Sequence, residues 1–98
     1  MSDDDPGFAL PAFNADNALV QIKRALRDLK LAERGSGFEL KGKAVLQLAA
    51  EEGGITVKLA KRLSMTPEWD RQTVKSGADQ RKLLDEVKRR LERWQRED

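Results

Sequence analysis

The side chains available for chemistry are carboxylates, amines and hydroxyls, because the 98-residue chain contains no Cys, no His and no Tyr. Lacking Cys, it has no thiolate nucleophile, thiolate zinc site or disulfide. Lacking His, it has lost the commonest general base and the commonest metal ligand. Asp28, Glu33, Glu51, Glu52, Asp85 and Glu86 remain as carboxylates. None of them lies in an apolar run of the kind that turns a carboxyl into a working acid or base. Ser36, Ser64 and Ser76 have no His to activate them, and Lys61, at the end of an apolar stretch, is expected to snorkel to water. Gly35-Ser36-Gly37 lacks the Lys-Ser/Thr that completes a nucleotide loop. The expectation is a protein that is not an enzyme and holds no metal or cofactor.

What the composition does offer is charge. The chain is 37% charged, with 19 Lys and Arg against 17 Asp and Glu. Asp3, Asp4 and Asp5 are the only charges in residues 1–14, so the rest of the chain carries 19 cations against 14 anions, a net of +5. Such a field favours anionic partners, and phosphate contact needs only clustered Lys and Arg. The plain alternative is a solvated surface of mixed sign. The start of the chain is acidic where a secretory signal is basic, and no apolar run approaches the ~18 residues of a membrane span. A cytoplasmic protein with no membrane partner is expected, in keeping with the absence of Cys.

The elements that must position these charges are legible at both ends. Residues 1–13, with Pro6, Gly7 and Pro11, read as a flexible acidic tail, whose Phe8, Leu10 and Phe13 could lie against the domain as an arm or dock on a partner. Residues 14–98 then form a single small domain. Its first helix is capped by Asn14 or Asp16 and carries Ala15, Leu19, Ile22, Leu26 and Leu29 on one stripe, with Gly35 as a left-handed stop. The last helix begins at a Ser76/Asp79 capping box and carries Leu83, Leu84, Val87, Leu91 and Trp94. About 20 residues long, it would span ~30 Å, and its basic residues suit the macrodipole at its C-terminal end.

The middle decides the fold. Read as strands, Glu51-Glu52-Gly53-Gly54 is a four-residue turn that pairs Ala50 with Ile55, Leu48 with Val57, Leu46 with Leu59 and Ala44 with Lys61. The opposite face then pairs Ala49 with Thr56, Gln47 with Lys58, Val45 with Ala60 and Lys43 with Arg62. Phe38 and Leu40 give a strand before Gly42, and residues 72–75 a short fourth one. The fold class predicted is α+β: a helix, a three- to four-stranded antiparallel sheet and a long C-terminal helix, both helices on one sheet face.

Read as helices, Ile55 through Pro67 resembles the helix-turn-helix DNA-binding family. That resemblance implies Thr56 as a cap, Leu59-Ala60 as the packed pair and residues 67–74 as the recognition helix. Here two residues, Val57 and Lys58, stand where the family usually has three. An all-α, helix-turn-helix-like fold is therefore the alternative. The order helix, strands, helix is also similar to that of double-stranded RNA-binding domains, although Lys75, Arg81 and Lys82 do not reproduce the spacing of their Lys-rich motif.

Function follows the face assignment. On the strand reading Lys43, Lys58 and Arg62, with Lys41 nearby, make a basic exposed face for nucleic acid. Val45, Ala49 and Ala60 are a small-residue patch for a protein partner or a homodimer, and Trp69, in an expected loop, is either a partner anchor or a lid on the core. The leading expectation is a small binding module contacting nucleic acid. A protein-interaction or homodimerisation module without nucleic-acid binding is the competitor, and a helix-turn-helix DNA-binding protein the third reading.

Overall fold

The computed structural model describes residues 13–97. Helix α1 (Ala15–Asp28) is followed by strands β1 (Ala32–Arg34), β2 (Gly37–Leu40), β3 (Lys43–Glu51), β4 (Gly54–Ala60) and β5 (Trp69–Val74), and then by helix α2 (Gly77–Arg96). The strands form one antiparallel meander in sequence order. The fold is α+β with five strands where three or four were expected. The helix-turn-helix alternative fails at its centre, since Thr56, Leu59 and Ala60 lie in β4 and the supposed recognition helix is mostly β5. Phe8 and Leu10 of the expected tail lie outside the described residues, whereas Phe13 packs against the core.

Both helices begin as their sequences dictate. Asn14, not Asp16, caps α1, its side chain accepting the Asn17 N–H at 2.9 Å. Ser76 accepts the Asp79 N–H at 3.1 Å. The short Asp79 carboxylate returns to the Lys75 N–H, one residue before the cap, rather than to the cap itself. The end of α1 differs from expectation. Leu31 N–H bonds the Leu26 carbonyl and Lys30 N–H the Arg27 carbonyl, a Schellman closure that forces Lys30 to φ +72°. Buried Leu31 then packs into the same core as Leu26. Gly35 is left to do another job: at φ +59° it opens the two-residue turn between β1 and β2.

One core cluster gathers Ala18, Ile22 and Leu26 of α1, Leu83, Val87, Leu91 and Trp94 of α2, and Phe38, Leu46, Leu48, Ile55, Val57, Leu59 and Val74 of the sheet. A Gln80–Gln21 side-chain hydrogen bond of 3.0 Å links the two helices above it. The β3–β4 ladder pairs Leu46 with Leu59, Leu48 with Val57 and Ala50 with Ile55, as the sequence predicted. The turn is tighter than expected, only Glu52 and Gly53, with Glu51 and Gly54 paired and Gly53 at φ +78°. Trimming one residue from each side leaves every facing pair unchanged, so the register survives the error. The ladder ends at Leu46–Leu59, so the expected pairs of Lys43, Ala44 and Val45 with Arg62, Lys61 and Ala60 do not form.

Between β2 and β3 the register slips: Phe38 faces Leu46, but Glu39 faces Ala44. Val45 is the extra residue of a β-bulge, and both Val45 and Leu46 are fully buried. The bulge inverts the alternation of faces for everything before it in β3. The hairpin beyond it closes on Lys41 and Gly42, both at positive φ (+56° and +79°), the pattern of a type I′ turn.

Lys30 occupies a conformation that favours Gly. Lys30→Gly is expected to raise the unfolding free energy by up to about 1 kcal/mol, read as a shift of the urea midpoint at unchanged slope.

Candidate functional site

With the helices covering one face of the sheet, the other carries the side chains that alternate with the core set. Along β5, Asp70, Gln72 and Val74 pair with the core-facing Leu59, Val57 and Ile55, so Trp69, Arg71 and Thr73 belong to the open face. Along β4 that face holds Thr56 and Lys58, and along β3 Gln47, Ala49 and Glu51. The cross-strand partners Arg34, Gly37, Gln47, Lys58 and Arg71 therefore form a single transverse row over all five strands. Four inter-strand steps make it about 19 Å long. Beside it runs a second row of Ala49, Thr56 and Thr73.

The row is basic with few anions near it. Arg34 is 77% exposed and lies 3.6 Å from Glu39, its diagonal neighbour on the same face. Among the described residues no ion pair engages Lys58 or Arg71. Glu51 is four residues from Gln47 along β3, about 13 Å away. Gly37 leaves the row flat between Arg34 and Gln47 because its backbone sits against β3: a Cβ there would come within 2.6 Å of the Leu46 carbonyl.

Of the four cations expected to cluster, only Lys58 stands in this row. Lys43 pairs with Leu40, whose side chain packs on the core, so the bulge has moved it to the helix side of the sheet. Lys41, at the hairpin tip, donates from Nζ to the carbonyls of Gln95 (3.0 Å) and Glu97 (3.3 Å) at the end of α2, where a cation meets the negative end of the helix dipole. Arg62 lies in the β4–β5 connection. The partner patch also needs correction, because Val45 and Ala60 are wholly buried and only Ala49 is exposed. Trp69 is not in a loop but starts β5, half-buried and packed against the core.

Sequence reasoning missed Arg71 and Arg34. Residues 69–74 alternate no apolar pattern that would mark a strand, and the three residues of β1 are all exposed. The one signal for Arg71 was available after the fact: once Val74 is paired with Ile55, parity places it.

The connection from β4 to β5 and the C-terminal half of α2 enclose a groove of about 800 Å³, lined among others by Arg62, Glu68, Glu86, Arg89, Arg93 and Glu97. Its charges mostly serve the fold. Arg90, 15% exposed, bonds Glu86 at 2.6 Å, Asp70 at 2.8 Å and the Ala60 carbonyl at 3.1 Å. Arg93 donates to the Lys61 carbonyl, and Glu97 accepts the Leu63 N–H at 2.9 Å. Together they strap α2 to the strand ends. Among the described residues no three acidic side chains gather as metal ligands would, and no helix is long and apolar enough to cross a membrane.

No protein-family model, curated protein or solved structure matches the chain.

Arg90 is the joint of the strap. Arg90→Met keeps most of the stem but leaves the Ala60 carbonyl and Asp70 without this donor and Glu86 with Arg89 alone. It is expected to cost about 2 kcal/mol in chemical denaturation, less than a fully buried pair because Asp70 is partly solvated.

Proposed function

We propose that the protein is a binding module whose open sheet face contacts the phosphate backbone of nucleic acid. The observation that carries this reading is the transverse row: Arg34, Lys58 and Arg71 project from one face, with the amide of Gln47 between them and the hydroxyls of Thr56 and Thr73 alongside. Guanidinium, ammonium, amide and hydroxyl groups are the donors that phosphate oxygens accept from, and they fix orientation without reading sequence. Among the described residues the face offers no fully exposed aromatic ring, since Trp69 is half-buried. Binding by charge, with little base stacking, is the mode these residues support.

The test is an anisotropy titration of labelled single-stranded and duplex oligonucleotides at several salt concentrations. Affinity is expected to fall steeply with salt, and Lys58→Ala and Arg71→Ala are each expected to lower the slope of log K against log salt by about one. Absence of binding at about 50 mM salt, or a double variant that binds like the parent, refutes the reading.

A further inference from the structure

We infer that β5 is the seam of a homodimer, in which the edge of one sheet pairs antiparallel with the same edge of a second copy. This goes beyond the nucleic-acid reading and stands or falls without it.

The two edges of the sheet are not equivalent. β1 is three residues long, and its Glu33 is held by Lys23 (3.5 Å) and Arg27 (2.8 Å) of α1. Short, charged edges resist pairing. β5 is six residues long, contains no Pro, and its inward carboxylate, Asp70, is already taken by Arg90. The Lys61 N–H to Glu68 carbonyl bond (2.9 Å) fixes the phase of the β4–β5 ladder. Every second residue from Glu68 points its backbone groups at β4, so Trp69, Arg71 and Thr73 turn N–H and C=O toward the free edge. Among the described residues no hydrogen bond takes up these groups.

Among the registers centred within residues 70–73, which keep most of β5 paired, charge selects one. A two-fold pair must set outward-pointing residues opposite one another. Centring it on Arg71 puts two guanidiniums face to face, centring it on Asp70 opposes two carboxylates, and centring it on Thr73 places Arg71 against Lys75. Like charges directly opposite are destabilising. Centring it on Gln72 avoids all three, with Arg71 opposite Thr73, Asp70 opposite Val74 and Trp69 opposite Lys75. It also brings together two Gln72 side chains, and the Oε1 of Gln72 is a buried acceptor without a partner in the single chain. Turned toward the seam, each amide meets that of the second copy, which supplies the missing donor. The product is a continuous ten-stranded sheet whose open faces are contiguous.

Sedimentation of the full chain at about 100 µM should give twice the 11.1 kDa mass of one chain. Thr73→Pro deletes an outward N–H that β4 does not use, a change tolerated on an edge strand, and should sediment as a single chain with unchanged circular dichroism. Gln72→Cys gives a sharper readout, because the chain has no other Cys. Facing positions of this type have Cα atoms about 4.5 Å apart, within disulfide range, so oxidation should yield a covalent dimer. Ala49→Cys, on the exposed open face, should not cross-link. A parent chain that sediments as one copy overturns the inference, as does cross-linking through Ala49→Cys and not Gln72→Cys. Should Thr73→Pro fail to fold, the two Cys variants decide.

Discussion

A sheet flanked by two helices on one side can bury only one of its faces, and each side chain is assigned by counting in twos along its strand. In this protein that count is broken once, at Val45. The bulge lets Val45 and Leu46 both enter the core, where strict alternation would have sent one to solvent. It also reverses the sides of what precedes it. Lys43 goes to the helix side with Leu40, Ala44 to the open side with Glu39, and the hairpin tip carrying Lys41 swings to the end of α2. Which cations share a face is thus a consequence of one inserted residue.

The same geometry explains how a 20-residue helix is kept against a small sheet. Its hydrophobic stripe, from Leu83 to Trp94, supplies most of the attraction, since burial of apolar surface is the dominant favourable term. Direction is fixed by polar contacts at both ends: Ser76 and Asp79 at the start, and Lys41, Arg90, Arg93 and Glu97 toward the finish. Several basic residues of the C-terminal turns, which complement the helix dipole on their own, also satisfy carbonyls where β4 ends. Cationic surface on α2 is therefore partly committed to the fold, whereas Lys58 and Arg71 on the open face have no such partner among the described residues.

The open face and the β5 edge meet at Arg71. Its side chain ends the basic row while its backbone lies on the unpaired border of the sheet. Because side chains stand perpendicular to the sheet and hydrogen bonds lie within it, a strand added at this border leaves the guanidinium exposed. Edge pairing would extend the cationic surface without covering it. The small side chains of Ala49, Thr56 and Thr73 beside the row, and Gly37 within it, keep the face open to an extended ligand.

Much of this was readable in the residues. The caps at Asn14 and Ser76, the stripes of α1 and α2 and the Leu46–Leu59, Leu48–Val57 and Ala50–Ile55 pairs follow from local rules, periods of 3.6 and 2 and polar side chains that reach their own backbone. Lys58 was placed correctly for the same reason, since it lies in an unbroken alternation close to the turn. Tertiary context alone decided the rest. A bulge carries no composition signal at Val45, because either strand geometry suits a β-branched residue, and only the need to fill the core selects it. β1 pairs with β2 across the Gly35–Ser36 turn while Glu33 meets cations of α1, but its three exposed residues carry no apolar alternation to announce a strand. Lys30 accepts a left-handed conformation because burying Leu31 outweighs the strain. Sequence set the elements and the central register; packing in three dimensions set where the alternation breaks, and with it which charges stand together.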